Sequence, residues 1–174
     1  EAKGINYSKS IFEVTTKVKP SITGNGVLFE LKSANHSNKI RYTTDGSNPT
    51  ANSYQYSNPI EITKSQTIKA AYFENDKQKS SSIEQTFSLN KATGKKITLV
   101  NPPHENYSIG GALTLVDGVS ANRSKLGKDW LGFSGKDVIA TIDLEKKESI
   151  NKITISTLAS EGSWIHYPKS IEIL

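Results

Sequence analysis

The sequence predicts an all-β protein built as two small sandwiches in series. Three observations predict it. Apolar side chains recur at every second residue in short runs, which is the period of a half-buried strand. Gly, Pro, Asn, Asp and Ser separate those runs at the spacing of sandwich turns. No segment carries a sustained helical stripe with capping residues.

The first run is Ile11–Val18, where Phe12, Val14, Thr16 and Val18 share one face and Glu13 and Lys17 take the other. Val27, Phe29 and Leu31 form the next inward set, opposed by Glu30 and Lys32. Ile40, Tyr42 and Thr44 follow, then Ile60 and Ile62, then Ile68, Ala70 and Tyr72, and finally Ile83, Phe87 and Leu89. About six or seven such strands make an immunoglobulin-like or fibronectin-III-like sandwich over residues 1–90. Residues 91–96 are small, polar and basic, as a linker would be, with Lys91, Lys95 and Lys96 expected in solvent.

A second domain is expected over residues 97–174. It opens on loop-forming Pro102-Pro103 and Gly110-Gly111. Strands then reappear at Val138, Ala140, Ile142 and Leu144, at Ile153 and Ile155, and at Ile171 and Ile173. The chain stops at Leu174 inside the last of these, so this domain is expected to be incomplete. A start at Glu1 and the lack of methionine lead us to expect a longer gene product.

Composition removes several kinds of chemistry. With no cysteine there can be no disulfide framework, zinc–thiolate cluster or thiol nucleophile. The net charge of +5 comes from dispersed lysines, with Arg41 and Arg123 the only arginines, so no nucleic-acid partner is expected. No apolar run approaches the roughly 20 residues that span a bilayer, so membrane insertion is not expected either.

Ile40-Arg-Tyr-Thr-Thr-Asp-Gly-Ser-Asn-Pro-Thr50, supported by Tyr56-Ser-Asn-Pro-Ile60 and Gln66-Thr-Ile-Lys-Ala-Ala71, resembles the hallmark of the chitobiase/β-hexosaminidase C-terminal domain. From Ile97 onward the chain resembles a discoidin-like (coagulation factor V/VIII type C, galactose-binding-like) domain. That likeness rests on Gly110–Gly118, Trp130–Leu144 and Ser163–Pro168. The order of the two looks like the tail of Bacteroidetes β-N-acetylhexosaminidases of glycoside hydrolase family 20. The resemblance implies an upstream catalytic domain in the same polypeptide, glycans as possible partners, and a periplasmic, cell-surface or secreted location.

Each motif has a plainer reading beside it. Asp45-Gly46 and Asn48-Pro49 are turn dipeptides first and ligand contacts second. Family 20 hydrolysis uses an Asp-Glu pair; no Asp-Glu dipeptide occurs, and no catalytic residue is assigned. His36, His104 and His166 follow no metal-ligand spacing. No cofactor is required, but Asp117-Gly118 is a candidate calcium loop, since discoidin-like modules hold the ion with carboxylate and backbone oxygens. Asp-Gly is also an ordinary turn, and a single Asp favours that plainer reading.

Trp130 and Phe133 precede an alternating strand and read as core. Trp164 and His166, at i and i+2 of an extended segment, would share a face, with Tyr167 beside them; these three are the candidate carbohydrate-binding residues. Two functions follow. One is a structural accessory to a catalytic domain. The other is a carbohydrate-binding module that holds glycan near the enzyme.

Overall fold

The computed structural model describes residues 9–122 and 126–174; Arg123 and the first eight residues lie outside them. The described chain is mostly β, with antiparallel sheets and only short helical turns. It divides into two compact units, Glu1–Leu144 and Glu145–Leu174.

In the first unit, strands β1 (Val14–Pro20), β2 (Val27–Ser33) and β5 (Ile60–Ile62) form one sheet in the order β1-β2-β5. The other is built on β3 (Ile40–Thr43), β4 (Tyr54–Gln55) and β6 (Gln66–Glu74), in the order β4-β3-β6. The far side of β6 is shared. β7 (Lys77–Gln78) pairs with its end, and β8 (Ile83–Phe87) pairs with Gln66–Ala70. The chain changes sheets between β2 and β3, between β4 and β5, and between β5 and β6. Such crossovers between two antiparallel sheets make a β-sandwich.

The core lies where the alternation put it. Val14, Val27, Phe29, Leu31 and Ile62 meet Ile40, Tyr56, Ile68, Ala70, Tyr72 and Phe87 in one cluster. Phe29 and Phe87 pack edge to face across it, with centroids 5.1 Å apart. Phe12 was expected in the first strand but ends a 3-10 turn, Lys9–Phe12; it still reaches the core, against the Tyr72 ring at 5.1 Å. In β3 the buried residue near the end is Thr43 rather than Thr44, because its hydroxyl turns inward to donate to the Ser47 carbonyl at 2.6 Å.

The stretch expected to be a solvated linker is folded against the sandwich. Thr93 is only 4% exposed, and its hydroxyl accepts the Asn90 N–H. The Gly94 N–H donates to the Val116 carbonyl at 2.7 Å, and Lys95 Nζ donates to the Gly24 carbonyl at 3.1 Å. Backbones approach closely here. A Cβ on Gly94 would lie 1.9 Å from the Gly26 carbonyl oxygen, and one on Gly26 would lie 2.0 Å from that of Ile62. Both glycines also have positive φ, so no other residue suits either place.

The chain beyond adds to the same sandwich. Val119 bridges Phe87, with Ser88 N–H donating to the Gly118 carbonyl and Ser120 N–H to the Thr86 carbonyl. Val119 thereby joins the core and covers the free edge of β8. Later, β9 (Lys96–Leu99) pairs with β10 (Ala140–Asp143) as a two-stranded ribbon, and α1 (Leu126–Asp129) is a single turn whose Lys128 donates to Thr16.

Among the described residues, fewer strands are present beyond Leu99 than the alternation suggested. β10 exists, but all four of its residues are exposed, so it is not a half-buried strand. Ile153, Ile155, Ile171 and Ile173 are about half exposed and lie in no strand. Alternation gives a segment an apolar face; a strand also needs a partner for its backbone groups, which these segments lack here.

Candidate functional site

Four places could carry function, and the most ordered is the turn after β3. Asp45 accepts hydrogen bonds at Oδ1 from both the Ser47 N–H, at 2.9 Å, and the Ser47 hydroxyl, at 2.6 Å. Those two bonds, the hydroxyl first, hold its carboxyl below the usual range. Gly46 takes φ +79°, Asp45 bridges Thr67 on β6, and Pro49 is buried. Beyond it, the Thr50 N–H donates to the Ser53 hydroxyl and the Asn52 N–H to the Thr50 hydroxyl. The motif spends these polar groups on its own turn.

Asp117 lies in the loop that caps β8, and it is partly buried. Its Oδ1 accepts the Val119 N–H at 2.8 Å, the geometry of an Asx turn. Burial, reinforced by the nearby Asp129 carboxylate, raises its pKa to about 6. Asp129 in turn accepts the Asn122 N–H at 3.1 Å. Calcium takes 6–8 oxygens. Two carboxylates are at hand, and the described residues form no cluster of three or more acidic or histidine groups.

In the second unit, Ser160 and Ile165 exchange two backbone hydrogen bonds around the 3-10 turn Glu161–Ser163. Trp164 closes that turn in the left-handed region, at φ +57°. The extended alternation expected to place Trp164 and His166 on one face therefore breaks at Trp164 itself. Trp164 is 87% and Tyr167 59% exposed, and His166 is exposed as well. The isoleucines on either side of them are exposed too, so openness belongs to the whole segment. Trp130, expected in the core, is partly buried, and its indole N–H donates to the Asn122 carbonyl at 3.0 Å.

The fourth place was not anticipated. Tyr42 on β3 and Tyr54 on β4 stand directly opposite each other, their rings tilted with centroids 5.6 Å apart. Tyr56, two residues along the same face, is buried; Tyr54 is 67% exposed. Burial, then the neighbouring Tyr54 and Tyr56, raise the Tyr42 pKa above its ordinary value. A sequence signal was available: Gly46–Ile60 is the longest uncharged run in the chain, and this pair's edge strand lies inside it.

The sheet orders and crossed connections of the first unit are those of a β-sandwich. Residues 29–87, about a third of the chain, match the family described as Fn3 associated. The match runs from the middle of β2 to the end of β8. No curated protein matches the chain. Among the described residues no helix is long and apolar enough to cross a membrane.

Proposed function

We propose that this chain is a non-catalytic accessory region of an exported glycoside hydrolase resembling β-N-acetylhexosaminidase, with its sandwich acting as a structural support for the catalytic domain. Residues 1–90 would be the chitobiase/β-hexosaminidase C-terminal-like module and 97–174 a discoidin-like one, in a protein that works in the periplasm, at the cell surface or outside the cell. The observation that carries this reading is the turn at Asp45–Thr50. Its sequence resembles the hallmark of that first module, yet its side chains cap their own backbone, which suits a scaffold better than a site. The Fn3-associated match over the same residues supports an accessory role.

The coding sequence around this chain should specify a family 20 barrel with its Asp-Glu pair. The purified chain should not turn over a chromogenic N-acetylglucosaminide. Another kind of catalytic domain would overturn the parentage, and turnover would overturn the accessory role.

The exposure of Trp164 and Tyr167 favours a second reading, a carbohydrate-binding module. Trp164→Ala should then weaken glycan binding by the full chain. Calcium at Asp117 belongs to this reading. Millimolar calcium should raise the melting temperature of the parent chain and leave that of Asp117→Asn unchanged.

A further inference from the structure

Tyr54 occupies an unusual position. Cross-strand aromatic pairs on a sheet contribute about 0.2–1 kcal/mol, which accounts for Tyr42 packing beneath it. Packing does not account for a large aromatic ring left two-thirds in solvent on a two-residue strand at the sheet's free edge. Among the described residues neither phenol hydroxyl of the pair has a hydrogen-bond partner, so the exposed Tyr54 hydroxyl can still bond a ligand.

The surroundings are chemically uniform. In a chain with 22% charged residues, Gly46–Ile60 carries none, and hydroxyl and amide side chains flank Tyr54: Asn52 and Ser53 before it, Ser57 and Asn58 after the buried Tyr56. Arg41 pairs with Gln55, on the opposite face of the sheet, where the two side chains bond each other at 3.2 Å. Tyr54 thus offers an aromatic plane and a phenol hydroxyl, with the exposed neutral amides of Asn52 and Asn58 close by in the chain. That combination suits a neutral pyranose: its ring C–H bonds meet the electron-rich aromatic face, and its hydroxyls meet the polar rim.

We propose that Tyr54, seated on Tyr42, is a stacking site for a neutral sugar ring of a glycan, on the first sandwich and separate from the Trp164 segment. The proposal deepens the reading of the chain as a glycan-facing accessory and rests on it. Tyr54 is the stacking residue. Tyr42 is a positioning residue that fixes the ring's tilt.

The test titrates the full chain with a β-linked N-acetylglucosamine tetramer, a β-linked glucose tetramer and, as a peptide control, a proline octamer, followed by calorimetry and saturation-transfer NMR. The parent chain should bind at least one sugar. Tyr54→Ala should weaken that binding at least about tenfold, and Tyr54→Phe should retain most of it. Unaltered thermal unfolding of Tyr54→Ala will show that the loss is not one of folding. Sugar binding that survives Tyr54→Ala overturns the proposal. So does Tyr54-dependent binding of the proline peptide alone. Failure to bind either sugar also overturns it and leaves the structural accessory role standing, since that role is tested by the coding sequence and by turnover.

Discussion

Asp117 shows how one carboxyl can shape the stability of this protein. Its folded pKa of about 6 lies above the ordinary 3.8 because burial disfavours the charge. As pH rises from 4 to 6, the unfolded chain gives up this proton while the folded chain keeps it. Stability from this group is therefore full below about pH 4 and falls as pH passes through 6. The protein should be about 1–2 kcal/mol more stable at pH 5 than at pH 7.5 through Asp117 alone. Glu30, held low by Lys19, and Glu61, held low by Ser21 and Thr23, act in the opposite sense and in a lower window. Their contribution is lost only as pH falls into the carboxylate range. In Asp117→Asn the amide oxygen can still accept the Val119 N–H, so urea unfolding at both pH values should show the slope between pH 5 and 7.5 flattened. A slope that persists would show that Asp117 does not carry the charge.

At the scale of elements, the decisive contact joins the stretch after β8 to the turn between β1 and β2. Gly94 meets the Gly26 backbone with no room for a side chain, while Val116, Val119 and Thr93 close over the end of the sandwich. Gly94→Ala places a methyl group on a carbonyl oxygen and imposes positive φ on alanine. We expect a loss of about 1–3 kcal/mol, read from the urea midpoint of the full chain. An unchanged midpoint would mean that residues 93–120 are not part of the cooperative unit. The sequence showed the strands here but not the joint. Thr93, Gly94 and Val119 lie in polar or Gly-rich company, and what buries them is backbone distant along the chain.

Across the whole molecule, burial is unevenly spread. Phe29, Tyr72, Phe87 and their neighbours are closed off completely between two sheets, whereas Ile150, Ile153, Ile155, Ile171 and Ile173 are about half open. Amide hydrogen exchange should follow that division, since protection needs both a hydrogen bond and cooperative packing. Amides of β2, β3 and β6 should exchange orders of magnitude more slowly than those of residues 150–157 and 170–174. Equal protection in the two regions would mean that the later segments are paired in solution.

By itself the sequence determined much of the first sandwich: its longer strands, most of its inward-facing residues and the Asp45–Thr50 turn. Alternation and turn chemistry are local, and one sheet face pressed on another is the simplest way to bury them. It also singled out Asp117, Trp164, His166 and Tyr167 as residue types capable of binding. Only the tertiary structure decided where those groups stand. It broke the presumed face at Trp164 with a left-handed turn, and it drew Asp117 into a capping loop. It brought Tyr54 opposite Tyr42 at a free edge, and it folded the expected linker onto the core. Each of these depends on which backbone lies opposite which, and periodicity along a chain carries no record of register between distant strands.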